Sequence, residues 1–540
     1  MNDRIIAKNR YKKVSQKSIN EKKKRLNEMY GITTGAFKPV KTKKRESIFS
    51  LTIVRVFIII FLIVGLGILS KVIITSENIQ VISSFFDDGK RYEEGYNLKI
   101  GAYSTDENFF RARSLIVNDL YNIATKSLIK VDEDYSVNYD LAKKIEKNDL
   151  TYNIILNESY GITADNVKSS VYKILSNTEN IYYSKLQIID DVKVIKNNEL
   201  EIRLKENNPY FLYMLDFPIY VDEDIAKNIK NVGFSSSING NILNFKNLDY
   251  SKNKNLSEVN LTRYSDFDLM INDFKNKNLD VTFISSSNVE KLIGKYDYSM
   301  KKYRDGKTLF LLGNKDSEVF KVKEVRQALL YSINREEIIK RLNNSYLELI
   351  DIPYIYSKIS YKYDITGANN ILLTSGYIKD GGIYKKDNLS LIFSLIVNKD
   401  DSDKVKVAES IKEMAEINGI RIDILYLNKD EINNKIKEGK YDLVLADVYL
   451  DESPDISYLY DFINVSEEVN NQIELVKNSN LSDLNKNIIE LQNIISRDVL
   501  CIGIYAYDTG VIYQNNITGF ENISYKNIFK NIGIIGKLKE

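Results

Sequence analysis

The stretch VRQALLYSINREEI, from Val325 to Ile338, carries the clearest structural pattern in the sequence. Apolar residues recur through it and just beyond it at the spacing of an α-helix, at Val325, Ala328, Leu329, Ile333, Ile338 and Ile339. Such spacing puts the apolar side chains on one face of a helix, which then packs against a core. The pattern predicts one amphipathic helix over Val322 to Leu342.

On both sides of this helix, the second half of the chain alternates between strand and helix patterns. Short apolar runs predict strands at Lys307–Leu312, Leu391–Val397, Arg421–Leu427, Tyr441–Ala446 and Leu500–Tyr505. Helical spacing lies between them at Lys404–Ile417, Glu431–Lys437 and Leu484–Ser496. This alternation is typical of an open α/β sheet.

The first half of the chain is richer in strand patterns. A strand is predicted at Asn97–Tyr103 (NLKIGAY), followed by helical spacing over Arg111–Thr125. Thr163 precedes another helical segment, and threonine is a favoured N-cap residue because its hydroxyl accepts a hydrogen bond from a free backbone N–H group. The first half therefore predicts a strand-rich region joined to the α/β region.

The composition excludes several classes of chemistry. The 540 residues include no His, no Trp and only one Cys, Cys501. A catalytic triad with His, a His-ligated zinc site, an intrachain disulfide and a Cys₄ cluster are therefore all excluded. We expect no metal site and no cofactor. Acid–base chemistry by carboxylates remains open, and Asp106-Glu107 is one such pair, although adjacent acids usually lie on a solvated loop.

One segment near the N-terminus is long and apolar enough to cross a membrane. Leu51 to Ser70, LTIVRVFIIIFLIVGLGILS, contains 20 residues with Arg55 as its only charge. A helix of that length spans about 30 Å, the thickness of the hydrocarbon core. The alternatives are a cleaved signal peptide and a buried core helix. The charged flanks and the lack of a small-residue cleavage site favour an uncleaved transmembrane helix over residues 51–75.

The segment before this span is strongly basic. Residues 1–50 contain 15 Lys and Arg against four Asp and Glu, whereas the whole chain carries only +2. Lys- and Arg-rich flanks stay in the cytoplasm. We therefore expect a single-pass plasma-membrane protein with a cytoplasmic N-terminus and an extracellular body. Anionic lipid is the expected partner of the tail. A cytoplasmic or nucleic-acid partner is the alternative, but no DNA-binding motif accompanies the charges, and no nucleic acid is expected.

Several segments, in order, resemble a known family. Besides VRQALLYSINREEI, they are Leu120–Ala142, the helix start ITADNV at Ile162–Val167, NPYFL at Asn208–Leu212, Ser375-Gly376-Tyr377 with Asp380-Gly381-Gly382, GKYDL at Gly439–Leu443 and ITGF at Ile517–Phe520. Together they resemble the family 5 extracellular solute-binding proteins, the oligopeptide- and dipeptide-binding components of ABC importers. The resemblance spans about residues 96–540, and the shared order of the segments is stronger evidence for it than any single segment.

The resemblance implies the architecture. It implies a two-lobed α/β fold like that of the periplasmic binding proteins, of the class with an extra subdomain, which closes on its ligand by a hinge. The expected organisation is a basic tail (1–50), a transmembrane helix (51–75), a stalk (76–95), lobe I with the extra subdomain (96–306 and 500–540) and lobe II (307–499).

The resemblance also implies a ligand site between the lobes. Ligands of open α/β sheets lie beyond the carboxyl ends of the strands. The segment after the first strand supplies Tyr103, Ser104 and Asp106. The segment after the strand YDLVLA supplies Tyr449 and Asp451, and Asp451 is the nearest equivalent of the family's ligand-amine aspartate. The family's cleft Trp is absent, and Val448-Tyr449 occupies that region. The alternative is that Asp451 and Asp455 merely cap the next helix.

Three functions follow as hypotheses. The first is a membrane-anchored receptor that captures peptides or a similar small solute for an ABC permease and its ATPase. The second is a ligand-sensing or regulatory membrane protein with the same fold and no transport role, which the unusual span and basic tail favour. The third, an enzyme that uses carboxylates, is the weakest of the three, and we expect no enzymatic activity.

Overall fold

The computed structural model describes residues 91–539, except 108, 110–114, 133–134, 222–232, 250–253, 286–287, 289–296, 452, 460–461, 463–464, 480, 522 and 525–526. The predicted tail, transmembrane span and most of the stalk lie outside these residues. Within the described part of the chain, no helix combines the length and the apolar character that crossing a membrane requires.

The strands alternate with helices most regularly after residue 300. In chain order the strands are β1 (Tyr96–Tyr103), β2 (Ile129–Val131), β3 (Val137–Tyr139), β4 (Ala142–Asn148), β5 (Thr151–Leu156), β6 (Ile189–Lys196), β7 (Glu199–Leu204), β8 (Phe234–Asn239), β9 (Ile242–Asn247), β10 (Leu256–Tyr264), β11 (Val281–Ser285), β12 (Tyr298–Gly313), β13 (Leu347–Glu348), β14 (Ile378–Asp380), β15 (Ile383–Lys386), β16 (Leu389–Ser390), β17 (Ile392–Asn398), β18 (Arg421–Leu427), β19 (Leu443–Tyr449), β20 (Ile502–Gln514), β21 (Ile517–Thr518) and β22 (Gly536–Lys537). The α-helices are α1 (Leu115–Tyr121), α2 (Ala164–Leu175), α3 (Tyr183–Leu186), α4 (Phe211–Met214), α5 (Phe267–Lys275), α6 (Lys323–Ser332), α7 (Arg335–Leu342), α8 (Ile365–Thr374), α9 (Ser402–Ile417), α10 (Lys429–Glu438), α11 (Glu467–Lys477) and α12 (Leu481–Asp498). Short 3₁₀ helices lie at Glu158–Tyr160 and Ser457–Leu459.

One mixed sheet of 11 strands runs through the protein in the order β18-β17-β19-β12-β20-β11-β1-β10-β9-β8, with β13 also paired to β20. β1 is parallel to β10 and β11, and β17 is parallel to β18 and β19. The two parallel groups are joined by antiparallel pairing through β12 and β20. The expected α/β class is confirmed.

β12 and β20 are long because each belongs to both halves of the sheet. Tyr298 to Arg304 pair with the second part of β20, which also pairs with β11. After a break in the regular pairing of β12 with β20, Lys307 to Gly313 pair with β19. We call the irregular segment the waist: Arg304–Thr308 of β12 with Ala506–Asp508 of β20. Arg304 and Thr308 of β12 lie four positions apart there, whereas their pairing partners in β20, Asp508 and Ala506, lie two positions apart.

The waist is a β-bulge with a glycine in it. Gly306 has φ 86°, a left-handed conformation that favours glycine. The bulge divides the molecule into lobe I, around β1 and β8–β11, and lobe II, around β17–β19. The apolar runs in the sequence predict only the lobe II part of β12 and the first residues of β20. The exact residue bounds of the lobes stay a prediction, since β20 pairs on both sides of the waist.

The lobe II half of the sheet is covered by helices on both faces. On one face, α6 and α9 bury Val325, Ala328 and Ile411 against β17 and β19. On the other, α11 and α12 bury Val469 and Ile488 beside the opposite side chains of the same strands. Strands buried on both faces are nearly continuous apolar runs, which explains the sequence YDLVLA.

The helix predicted over Val322 to Leu342 is two helices, so the prediction of one continuous helix is wrong. α6 ends at Ser332, Ile333 is extended (φ −98°, ψ 112°), and α7 begins at Arg335. The side-chain oxygen of Asn334 accepts a hydrogen bond from the Glu337 backbone N–H group at 3.0 Å. Asparagine favours such an N-cap over a helix interior, because its side chain competes for backbone groups.

A separate antiparallel sheet, β4-β5-β7-β6, lies between β3 and β8 in the chain. We call residues 128–219, which contain it, the subdomain. Its helix α2 begins as predicted, because Thr163 and Asn166 form a reciprocal capping box. The subdomain shares its hydrophobic core with lobe II residues, among them Tyr354 and Leu459.

Candidate functional site

The carboxyl ends of strands from both lobes converge on the waist. β1 ends at Tyr103, and its neighbour β11 ends at Ser285, opposite Thr509 of β20. β19 runs the other way and ends at Tyr449, opposite Lys307 of β12. Because the two groups of strands point towards each other along the sheet, their carboxyl ends approach the waist from opposite sides. This is the position at which open α/β sheets bind ligands.

The lobe I residues named from the sequence lie together at the end of β1. Tyr103 pairs with Tyr264 in the sheet, and its ring packs edge-on against Phe267, with 5.7 Å between the ring centroids. Ser104 Oγ accepts a hydrogen bond from the Asp106 backbone N–H group at 3.1 Å. Arg263 Nη1 donates to the Ser104 carbonyl at 3.2 Å. Tyr103 is 42% exposed, so part of its ring faces the open side of the sheet.

Part of the segment that was predicted to follow the strand YDLVLA belongs to the strand itself. β19 extends to Tyr449, whereas the sequence analysis ended the strand at Ala446. Asp447 and Tyr449 are therefore strand residues, and they pair with Leu309 and Lys307 of β12. Tyr449, the last residue of β19, is 70% exposed, which is high for a tyrosine on a strand with neighbours on both sides. An exposed ring at a strand end can stack on a ligand and offer it a hydroxyl.

Asp451 follows β19 by two residues and forms an ion pair. Its Oδ2 atom contacts the Nζ atom of Lys185, which lies on α3 of the subdomain. The next residue back, Leu450, donates its backbone N–H to the Gly306 carbonyl at 2.8 Å, which ties this segment to the waist. Asp455, in contrast, accepts a hydrogen bond from the Ser457 backbone N–H group at 2.9 Å at the start of a 3₁₀ helix.

A charged network that the sequence analysis missed lies on the lobe II side of the waist. Lys404 Nζ donates to Asp447 Oδ2 at 2.9 Å and lies 3.2 Å from Asp401 Oδ2. Lys307 Nζ lies 3.6 Å from the same Asp447 oxygen and 4.4 Å from the centre of the Tyr507 ring. Burial lowers the pKa of Lys404, but its contacts with Asp447 and Asp401 outweigh that and raise it. Lys404 is therefore held charged.

No sequence signal could have identified this network, because its members come from four separate elements. Lys404 lies on α9, Lys307 on β12, Asp447 on β19 and Tyr507 on β20. The second oxygen of Asp447 is buried and accepts no hydrogen bond from any residue in the described ranges. Only the sheet order brings these charges to one place.

A second group of charges lies on β20 and β12 at the waist itself. Asp508 is almost completely buried, and neither carboxylate oxygen has a hydrogen-bond partner among the described residues. Burial raises the pKa of Asp508 to about 7, and the negative charge of Glu348 adds to the shift. Asp305, which accepts hydrogen bonds from the Lys307 backbone N–H group and from Thr509 Oγ1, also has a pKa raised by burial.

The side chains of the described ranges contain no cluster of three His, Cys, Asp or Glu residues that could hold a metal ion. Cys501 is buried, and burial raises the pKa of its thiol to about 12. A buried protonated thiol is neither a nucleophile nor a metal ligand at neutral pH. The strand ends at the waist carry aromatic rings, hydroxyls and charged groups.

The sequence matches a known family over more than half its length. Residues 136–470 match the family of bacterial extracellular solute-binding proteins, family 5 Middle. The matched range contains the subdomain, the VRQALLYSINREEI stretch, β19 and Asp451.

Solved structures share the fold at low sequence identity. A periplasmic murein tripeptide-binding protein, MppA, in its unliganded open form, has a TM-score of 0.65 at 14% identity, covering 84% of this chain and 99% of that one. A nickel ABC transporter protein from Bacillus halodurans has a TM-score of 0.64 at 18% identity, covering 80% and 98%. AppA from Clostridium difficile, described as a putative peptide-binding protein, has 0.59 at 16%, covering 82% and 100%. At such identities these structures show a common fold.

Proposed function

The chain belongs to the family 5 bacterial extracellular solute-binding proteins, and from this premise we propose that it captures a peptide or a similar small organic solute in the cleft at the waist. In this proposal it then delivers the solute to the permease and ATPase subunits of an ABC importer, and it performs no chemical reaction on it. Tyr103, Ser104 and Asp106 on lobe I face Tyr449 and Asp451 on lobe II across the ligand.

The observation that carries the proposal is the pair of exposed tyrosines at strand ends that approach the waist from opposite sides. Tyr103 and Tyr449 are 42% and 70% exposed, although each belongs to a strand of the central sheet. Closure of two lobes over a ligand would bury both rings, which is the usual source of affinity when an aromatic side chain contacts a solute. An extended peptide would lie against these rings and bind mainly through its main chain.

An organic solute fits these residues better than a free metal ion. Nickel and other late transition metals prefer imidazole and thiolate ligands. The chain has no His, and its one thiol is buried with a raised pKa. The tyrosine and lysine groups near the waist are instead suited to carbonyl, carboxylate and aromatic parts of an organic molecule.

We also propose that the protein is held at the plasma membrane by residues 51–75, with the binding region outside the cell and the basic tail at anionic lipid inside. Two features of the sequence support this: the 20-residue apolar run and the 15 basic residues that precede it. Accessibility of a tag at each end of the chain to added protease on intact cells tests the orientation. Protection of the C-terminal tag would contradict it.

The binding proposal is tested with the full-length chain purified in detergent. A native mass spectrum of wild type should show bound small molecules that are lost on denaturation, and peptide pools should raise the melting temperature. Tyr449→Ala should weaken binding about tenfold or more, as expected when a central aromatic contact is removed. Tyr172→Ala is the control, because Tyr172 is also an exposed tyrosine, 43% against 70% for Tyr449, and lies on α2 of the subdomain.

Two results would reject the proposal. One is that wild type, shown to be folded by a cooperative unfolding transition, binds no peptide or other organic solute. The other is equal weakening in the Tyr449→Ala and Tyr172→Ala variants. Uptake of the bound solute that persists when the importer's permease is deleted would leave binding intact but favour the sensing role.

A further inference from the structure

The ion pair between Lys185 and Asp451 joins two parts of the protein that are far apart in the chain. Lys185 lies on α3 of the subdomain, and Asp451 lies just beyond β19 in lobe II. Both side chains are half-buried: 23% of the Lys185 side chain and 33% of the Asp451 side chain are exposed. A charge pair this shielded from water is stronger than a surface pair, and breaking it leaves a charge poorly solvated.

Both ends of the pair are held in position by their surroundings. Leu186, next to Lys185, is completely buried, and its backbone N–H group donates to the Tyr182 carbonyl at 2.9 Å. On the other side, Leu450 is buried and hydrogen-bonded to Gly306 at the waist. The fold therefore fixes the backbones that carry the ammonium and the carboxylate, and pairing costs mainly the rotamer freedom of the Lys185 side chain.

A second contact links the same two parts beside the pair. The Tyr135 hydroxyl, from the subdomain, accepts a hydrogen bond from the Tyr356 backbone N–H group at 3.3 Å. Burial raises the pKa of Tyr135, and the negative charge of Asp451 adds to the shift, so this hydroxyl lies within the field of Asp451. On the subdomain side the carboxylate thus contacts the Lys185 ammonium and acts electrostatically on the Tyr135 hydroxyl.

We propose that Lys185 is a specificity-determining residue of the cleft. Its ammonium group neutralises Asp451, so the site selects solutes whose end near Asp451 carries no free ammonium group, such as peptides with a blocked N-terminus. This inference rests on the proposed function, because it concerns which solutes the same cleft accepts.

The physical reason is a competition between two cations for one carboxylate. A solute ammonium could pair with Asp451 only by displacing that of Lys185, which would then remain half-buried beside the incoming positive charge. The new pair would replace the old one with no net gain, and the solute ammonium would still lose its hydration. A neutral amide end avoids both costs and can donate or accept hydrogen bonds at the neutralised site.

The test compares free and N-acetylated forms of the same short peptides, with the full-length protein in detergent. Wild type should bind the acetylated form at least as tightly as the free form. Lys185→Met keeps the length of the side chain but removes its charge, and should tighten binding of the free form about tenfold relative to the acetylated form. The Lys185→Met/Asp451→Asn double variant should lose that gain.

Lys193→Met is the matched control, because Lys193 lies on β6 of the same subdomain in an exposed pair with Glu201, 3.8 Å apart. It should leave both affinities unchanged. A wild-type preference for the free form, or an unchanged preference in Lys185→Met, would overturn the inference while leaving peptide capture in place. Failure of every protein to bind either form would reject the proposed function, and the inference with it.

A ligand-free measurement checks the ion pair itself. Melting temperatures of wild type, Lys185→Met, Asp451→Asn and the double variant form a double-mutant cycle. We expect the double variant to lose less than the sum of the single losses. Additive losses would show that the two charges do not interact, and would overturn the inference whatever the peptides do.

Discussion

Arg335 Nη2 donates a 2.7 Å hydrogen bond to Asp351 Oδ1, and both side chains are almost completely removed from water. The second terminal nitrogen, Nη1, donates to the carbonyl of Gly503 on β20 at 3.1 Å. One side chain from the VRQALLYSINREEI stretch therefore ties α7 both to the segment before α8 and to a strand that crosses the waist. This explains a buried arginine in a region dominated by apolar packing.

We predict that Arg335→Met destabilises the protein by about 3–5 kcal/mol, because it leaves the Asp351 carboxylate buried without its cation. Chemical denaturation, followed by the fluorescence of the 38 tyrosines in a chain without Trp, measures this loss. Arg341→Met is the control on the same helix, because the ion pairs of Arg341 with Glu337 and Glu413 are exposed. Equal losses in the two variants would contradict the role assigned to Arg335.

We predict that Asp508 makes stability fall as pH rises between about 4 and about 7. Burial raises its pKa from 3.8 to about 7 in the folded protein. Within that window the folded state holds a proton that the unfolded state has released, so raising the pH favours unfolding. Above about pH 7 both states have lost the proton, and this contribution stays constant. Asp508→Asn removes the ionisable group and should be more stable than wild type at pH 8.

The measurement is the denaturation midpoint of both proteins at several pH values. Asp119, whose pKa burial raises to about 6, contributes a slope of the same sign in both proteins. The difference between them therefore isolates Asp508. The same pH dependence in wild type and Asp508→Asn would count against the buried carboxylate as its source.

Gly313, at the end of β12, should not tolerate a side chain. A Cβ atom there would lie 1.9 Å from the ring of Phe320, which is itself buried in the lobe II core. We expect Gly313→Ala to cost about 1–3 kcal/mol through overpacking. Gly533→Ala is the control, since a Cβ atom there meets no heavy atom within 4 Å. Equal melting temperatures of the two variants would contradict the prediction.

The capping box of α2 offers a smaller, local prediction. Thr163 Oγ1 accepts a hydrogen bond from the Asn166 backbone N–H group at 3.3 Å, and Asn166 Oδ1 accepts one from the Thr163 backbone at 2.9 Å. Thr163→Ala should cost about 1 kcal/mol, and Thr163→Ser, which keeps the hydroxyl, should cost much less. Equal melting temperatures for the two variants would show that the hydroxyl adds nothing.

Local signals predicted much of the fold. The apolar runs of β17, β18 and β19 and the helical spacing of α9 and α12 were located within a few residues, because a buried face imposes its period on the sequence. The break at Asn334 was missed because apolar spacing continues through it, although an asparagine before two glutamates is an N-cap signal. The lobe I part of β12 was missed because Lys301, Lys302 and Arg304 make it polar.

The candidate site was predictable only in part. Tyr103 and Tyr449 were chosen because they follow or end apolar strands, and such ends carry ligand sites in open sheets. Lys307, Lys404 and Asp508 were not chosen, since no local pattern distinguishes them from the many other lysines and aspartates of this chain.

By itself, the sequence determined the α/β class, the family, the absence of histidine chemistry and of an intrachain disulfide, and the threonine that caps α2. These properties depend on composition or on neighbours within a few positions, where periodicity and capping act. Only the tertiary structure decided that α3 brings Lys185 to Asp451, and that β12 and β20 carry the sheet through a bulge at Gly306. Such contacts depend on strand order and register, and residues that are hundreds of positions apart carry no local record of their pairing.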